Sequence, residues 1–443
     1  MEFGKHIGKG MWAFADKSLP AMYGVGFIFL VVRVLPEKEF GSFVLIQTVF
    51  TMATAFCTAL ALQPLTKFAA ETKENGPYIV ASLVFSALFY VLVSAAMFLF
   101  QPFIVPLLDK SGEANLGALI GYLPLLFLTS LYRTFAISLL QATYSVQRIF
   151  WIDAVYFLGA LLLMVVAQQM RIFSTASDVI IINIIAQAGS TLLAIPLTRG
   201  SMSVRLSVHK EAFGKMWDFG KYSFGASATY MVYSQMDVFF VSSIAGIVAL
   251  AAYNAAKTFT RVFDIVSQVI QMFIIPVVSK YIALEKKDEI KIILEKAISF
   301  SSLILVPLFL LLMIFPEPIM HILFKGKYDE GADALRIFSF LALIVPWLTV
   351  PGAAIVGLGK AKIGFYLGLF LIGISVVFYW LFVNGYGIAG GAIALITTNL
   401  LGAIVLVYYV IRYFNVDVLN VFTRVQDAWM FIREYISSYK IPK

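Results

Sequence analysis

The sequence predicts an all-α polytopic membrane protein, with twelve transmembrane helices in two six-helix bundles around a central cavity. Three observations lead there. Of 443 residues, 61% are hydrophobic and only 13% charged, against about 45–50% and about 25% in soluble domains. Mean hydropathy is +0.90. Apolar runs long enough to cross a bilayer as helices, ~20 residues each, recur from end to end with short polar breaks. Composition alone therefore excludes a soluble enzyme, a nucleic-acid-binding domain and a single-span receptor. The runs are far longer than the ~10-residue alternating strands of an outer-membrane barrel, so helices are the elements that satisfy the backbone.

Six spans, at 12–34, 42–66, 78–107, 116–140, 149–169 and 178–198, make an N-terminal bundle over residues 1–200. Six more, at 222–246, 249–278, 297–320, 335–358, 363–383 and 388–411, make a C-terminal bundle over 222–412. The first run holds Asp16 and Lys17 near its start and continues to Arg33 without a small-residue cleavage site, so it reads as a span and not a secretory signal. With the amino terminus inside, twenty-two Lys and Arg fall on the inner side, six on the outer side and five within spans. That bias places both termini in the cytoplasm and requires an even number of spans. The basic stretch 201–221 is the expected cytoplasmic linker. A shift of 212 residues sets Gly8–Lys9 on Gly220–Lys221 and Pro64 on Pro276, as a duplicated bundle with its axis along the membrane normal would.

The remainder, 413–443, is an expected cytoplasmic tail. Leu419, Phe422, Val425, Trp429, Ile432 and Ile436 recur at helical spacing, with Arg424, Asp427 and Arg433 elsewhere on the wheel. This is the pattern of an amphipathic helix at the membrane surface; a partner-binding helix is the alternative. Cys57 is the sole cysteine, so no intrachain disulfide forms. The net charge of +8 sits mostly in short loops, where it orients the chain and implies no nucleic acid.

Charges inside spans cost at least ~2.5 kcal/mol each on insertion scales, so they face a wet or protein-lined interior. Asp16 and Lys17 lie in the first span, ahead of Pro20, Gly24 and Gly26; Arg133 lies in the fourth, and Asp153 begins the fifth. Asp237 is in the seventh, and the eighth holds Lys257, Arg261 and Asp264. Lys257 and Arg261, four residues apart, project from one face of a helix. They form either an ion cluster neutralised by Asp264 or an anion-binding face, where Arg grips phosphate oxygens bidentately. Arg133 and Lys17 are the further candidate substrate cations. Asp237 is a coupling carboxylate or a counter-charge, and Asp264 and Asp16 are candidates for the same work. Pro307, Pro316, Pro318, Pro346, Pro351 and Gly352 interrupt spans, which suits either close packing or rocking between two states. There is no phosphate-binding Gly-x-x-x-x-Gly-Lys-Ser/Thr loop. His6, His209 and His321 are too scattered for a metal site, and the outer loops are too short for a catalytic domain. A transporter is expected, with no enzyme activity, cofactor or metal.

Several segments together resemble a known family. They are Gly8-Lys9-Gly10, Arg33-Val34-Leu35-Pro36-Glu37-Lys38-Glu39-Phe40-Gly41, Asp237, Ala251-Ala252-Tyr253, Pro276, Leu323-Phe324-Lys325-Gly326-Lys327-Tyr328, Gly357-Leu358-Gly359-Lys360 and Gly385-Tyr386-Gly387-Ile388-Ala389-Gly390-Gly391-Ala392. Their order over residues 4–412 is similar to that of Wzx-type O-antigen and exopolysaccharide flippases, of the multidrug/oligosaccharidyl-lipid/polysaccharide exporter superfamily. The resemblance implies two bundles around a V-shaped cavity and alternating access. It implies movement of undecaprenyl-pyrophosphate-linked oligosaccharides from the inner to the outer leaflet of the bacterial cytoplasmic membrane. Expected partners are that lipid, the surrounding membrane lipids, and a polysaccharide polymerase and chain-length regulator. Two other readings stay open: a multidrug and toxin extruder of the same fold, and a polysaccharide polymerase, which would carry the large outer loop this sequence lacks.

Overall fold

The computed structural model describes residues 2–72, 74–109, 115–202 and 207–427, and these contain helices and loops only. The helices are α1 (Glu2–Phe27), α2 (Glu37–Cys57), α3 (Gln63–Glu71), α4 (Gly76–Leu108), α5 (Leu116–Ile120), α6 (Leu123–Ala142), α7 (Val146–Gln169), α8 (Ala176–Thr198) and α9 (Lys210–Ala245). Then come α10 (Ile247–Lys257), α11 (Arg261–Ala283), α12 (Lys287–Ile314), α13 (Pro316–Phe324), α14 (Ala332–Ser339), α15 (Leu341–Gly357), α16 (Ala361–Phe414) and α17 (Val418–Thr423).

Among the described residues nine helices are long and apolar enough to cross a membrane, or ten if α14 and α15, bent by 42° to one another, form one span. The expected twelve differ for two physical reasons. α16 runs 54 residues, or about 81 Å at 1.5 Å per residue, more than twice the hydrocarbon thickness. Gly387, at φ 54° and ψ −125°, breaks it between the expected eleventh and twelfth spans. α9 begins with Lys210, Glu211 and Lys215 and carries many hydroxyls, so it falls outside the nine despite its 36 residues.

The chain divides into two compact units, Met1–Ala251 with Leu323–Lys327, and Ala252–Ile322 with Tyr328–Lys443. This departs from the bundles expected at 1–200 and 222–412, because α9 packs into the first unit. Gly220 permits it: a Cβ there would run into the carbonyl oxygen of Leu60. That carbonyl belongs to a π-helical turn, Thr58–Leu62, joining α2 to α3. Phe224 of α9 meets Phe56 at 5.4 Å, and Ser223 donates to Gln63. Pro64 starts α3, whereas Pro276 lies inside α11, so the two prolines matched by the 212-residue shift sit in different local structure.

Within the first unit one core cluster sets small residues against large ones: Ala61, Ala69, Ala81 and Ala142 pack with Leu62, Leu65, Ile79, Phe135, Leu139 and Met216. Lipid gives helices no hydrophobic reason to associate, so close approach by small side chains must supply the dispersion contacts. The 33–41 segment is structural throughout. Arg33 donates to the carbonyl of Leu323 and lies 4.4 Å over the ring of Phe29. Pro36 caps α2. Glu39 accepts from the amide of Ala176 at 2.7 Å, adding to the Thr175–Asp178 capping box at the start of α8. Gly41 lies against the carbonyl of Ile247.

In the second unit α11 and α15 close on one another through Ser279, which donates to the carbonyl of Gly357 at 3.0 Å. Tyr253 packs edge-on against Phe338 at 5.3 Å. Residues after α16 are tied to α12 by Glu295. This fully buried carboxylate accepts from Arg424 Nε and Nη2 at 3.3 Å each and from the amide of Asp417 at 3.1 Å. In the tail Val421 is buried while Leu419, Phe422 and Val425 are exposed; Trp429, Ile432, Arg433 and Ile436 lie outside the described residues.

Two outcomes are expected. Gly220→Val should cost about 1–3 kcal/mol or more through overpacking, seen as a lower unfolding temperature in detergent, whereas Gly214→Val, with open space around it, should change little. Lys296 and Arg424 hold the Asp427 carboxyl below the ordinary carboxylate range. The tail contact is therefore complete above that range and is lost as pH falls through the depressed value. Limited proteolysis should cut the tail faster at pH 3 than at pH 6.

Candidate functional site

The intramembrane charges fall into separate groups. In the first unit, α1, α6, α7 and α8 enclose a buried polar layer centred on Arg133. Its guanidinium pairs with Asp153, donates through Nε to Ser190 Oγ at 3.2 Å and lies 4.4 Å over the ring of Tyr156. Ser190 in turn donates to the carbonyl of Ile152 at 2.6 Å. Asp16 is only 5% exposed and lies 3.4 Å from Lys17 Nζ. Tyr23 and Tyr156 both donate to Asn183 Oδ1 at 3.2 Å, and Thr129 donates to Gln187 at 3.2 Å.

This changes the place of two expected substrate cations. Arg133 is committed to Asp153 with both side chains largely enclosed. Lys17 keeps a 79% exposed side chain beside Asp16. Asp153 stands two turns inside α7, not at its start. Charge scanning alone missed Tyr23, Asn183, Gln187 and Ser190. Their signal was the i, i+4, i+7 spacing of Asn183, Gln187 and Ser190 in an otherwise apolar helix.

Asp237 is 1% exposed in α9, one turn after Tyr233. In the second unit, Lys257 closes α10, a 3₁₀ turn covers Thr258–Thr260, and Arg261 opens α11. A 3₁₀ turn advances about 120° per residue against about 100° in an α-helix. Arg261 is therefore carried further round from Lys257 than a continuous helix would leave it. Lys257 is half-buried, Arg261 and Asp264 are exposed, and both cations act on the Asp264 carboxylate. No group of three His, Cys, Asp or Glu able to hold a metal occurs among the described residues.

The Arg133 layer makes a stability prediction. Arg133→Leu strands Asp153 without its cation, and breaking such a buried pair costs about 3–5 kcal/mol. Arg133→Met combined with Asp153→Leu should recover most of that loss. Thermal unfolding of the three proteins in one detergent measures it.

Comparison with known proteins follows from this architecture. A family model described as polysaccharide biosynthesis protein matches residues 30–333. An uncharacterized membrane protein of Methanocaldococcus jannaschii is 28% identical over 186 residues, which are 42% of this chain and 43% of that protein. A probable low-salt glycan biosynthesis flippase of Haloferax volcanii, Agl15, is 22% identical over 205 residues, 46% of this chain and 43% of its own. The chain thus spans less than half the length of these relatives. Among solved structures, an inward-facing multidrug resistance MATE family transporter of the MOP superfamily aligns with a TM-score of 0.75 at 16% identity, over 90% of this chain and 97% of that one. The lipid II flippase MurJ, in an inward closed conformation, aligns at 0.74 and 11% identity, over 99% and 94%. These likenesses establish the fold, and the family match covers well over half of the residues. The chain is a multi-pass helical membrane protein that belongs to the polysaccharide biosynthesis protein family and has the fold of MOP-superfamily transporters.

Proposed function

We propose that this protein is a flippase, moving undecaprenyl-pyrophosphate-linked oligosaccharide from the cytoplasmic to the outer leaflet of the bacterial inner membrane by alternating access. The family match over residues 30–333 carries this reading, and the likeness to a glycan biosynthesis flippase supports it. Taking α9 and both halves of α16 as spans gives twelve crossings, an even number that leaves both termini on one side, and the charge bias supports the cytoplasmic side. Lys257 and the exposed Arg261 meet the diphosphate, with Asp264 nearby to weaken the grip so that the headgroup is released. A lone dication face would hold it too tightly. Lys17, exposed in the first unit, stays a separate candidate cation. Arg133 leaves the substrate set, because Asp153 already occupies it.

Ion coupling falls to the Asp16–Asp153 pair, with Asp237 as a charge-balancing group. A carboxyl buried beside a fixed cation holds or loses a proton according to how much water reaches it. A polysaccharide polymerase and chain-length regulator would take the product. Export of organic cations is the second reading, since the MATE-type structure fits the fold as well as the flippase does.

The test is leaflet-resolved translocation of a defined polyprenyl-diphosphate oligosaccharide in proteoliposomes. Arg261→Ala should lower the rate at least tenfold at equal protein abundance, and an unchanged rate would remove Arg261 from the substrate site. Asp16→Asn should abolish stimulation by a pH gradient. Wild-type protein that exports organic cations but leaves the lipid untouched would replace the flippase reading with the extruder.

A further inference from the structure

Along the seam of α2–α3 and α9, within the first unit, a row of uncharged polar groups runs through the middle of the membrane. Thr54 is the central residue of the 35-residue span Glu37–Glu71. Thr51, Thr54 and Thr58 of α2, Thr134 of α6, and Ser227 and Tyr230 of α9 line a hollow of about 360 Å³. Tyr230 is 69% exposed, and Gln63 at the hollow's edge is also exposed. Lipid offers no partner to an exposed amide or hydroxyl at that depth, so this surface faces water or a polar ligand. Thr54 and Thr134 donate to their own helix backbone at Phe50 and Ser130, leaving oxygen lone pairs to accept. The Thr58 and Ser227 hydroxyls have no hydrogen-bond partner among the described residues. No Lys, Arg, Asp or Glu lines the hollow.

One turn towards the basic end, the Ser223–Gln63 hydrogen bond joins this hollow to a second one of about 600 Å³. There Lys67 lies 5.2 Å from the ring centre of Phe68 and 4.8 Å from that of Phe219, with the 75% exposed Tyr222 opposite. The other cations nearby are already matched, Lys215 by Glu211 at 2.7 Å and Lys221 by Asp218 at 2.6 Å. Lys67 has no carboxylate within ion-pair distance among the described residues, so its charge is available to an anion.

We propose that these two hollows form one site for a phosphorylated sugar headgroup whose glycan is electrically neutral. Lys67, on its aromatic floor, takes the phosphate in a loading state distinct from the one in which Lys257 and Arg261 engage it. The Thr, Ser, Gln and Tyr wall takes sugar hydroxyls by donating and accepting, while Tyr222 offers a ring face to the sugar. A uronic or sialic acid would bring its carboxylate into the hollow at mid-membrane depth with no cation to meet it, and an unpaired buried charge is strongly disfavoured. This specificity rests on the flippase reading and sharpens it, from any lipid-linked glycan to an uncharged one.

The experiment uses the full chain in nanodiscs and measures equilibrium binding of three probes: bare polyprenyl diphosphate, the same lipid carrying a neutral hexose disaccharide, and the same lipid carrying a hexuronic acid. The neutral glycolipid should bind best and the uronate at least tenfold more weakly. Lys67→Gln should weaken all three about tenfold or more, and Lys67→Arg should restore most of the loss. Ser227→Leu should weaken the neutral glycolipid and leave the bare diphosphate unchanged. Equal binding of uronate and neutral lipids, or no effect of Lys67→Gln, would overturn the site while leaving the flippase reading intact. Displacement of every probe by phosphatidylglycerol in the disc would make Lys67 a phospholipid contact and overturn it too. If wild-type protein binds none of the three, the flippase reading fails and the site with it.

Discussion

The bilayer interior offers polar groups no water, and nearly every unusual feature of this chain follows from that constraint. Backbone groups turn inward as helices, and buried Ser and Thr hydroxyls fold back onto the preceding turn, as Ser82 and Ser130 do onto Ile79 and Phe127. Side chains that cannot satisfy themselves locally must find each other. Arg133 does so completely, with a carboxylate, a hydroxyl and a ring face arranged around one guanidinium. Such a site is better placed to hold three helices, α6, α7 and α8, in register than to grip a mobile anion.

The same constraint decides how helices approach. Without a hydrophobic drive between them, contact depends on removing side chains, and Gly41 and Gly220 bring whole backbones against the carbonyls of Ile247 and Leu60. The π-helical turn at Thr58–Leu62 bears the cost of that approach in α2, because a widened turn rotates a carbonyl out of its usual line. That adjustment recruits α9 to the first unit and sets its hydroxyl face beside that of α2. Local backbone irregularity thereby creates the polar seam.

Charge and polarity consequently do different work in different places. Buried pairs such as Arg133–Asp153 and Arg424–Glu295 fix helices and the tail. Arg261 and Asp264 lie exposed where a 3₁₀ turn interrupts the helix. The seam of α2–α3 and α9, by contrast, has hydroxyls and an amide around its hollow and no charged side chain.

Much of this was legible in the residue order. Hydropathy marked α4, α7 and α8 nearly to their ends, since long apolar runs between turn residues leave one outcome in lipid. The Asn183, Gln187 and Ser190 spacing held the polar layer in plain view. Other features were decided only in three dimensions. Sequence alone left Asp153 at a helix start and Arg133 as a candidate for cargo, because their pairing joins residues twenty apart on different helices. Likewise a helix count made from hydropathy assigned α9 to the second bundle. Its true packing depends on a glycine, a π-turn and a carbonyl that no one-dimensional pattern brings together. Periodicity is a local property and was determined by sequence; which side chain neutralises which charge depends on helix contacts, and only the tertiary structure settled it.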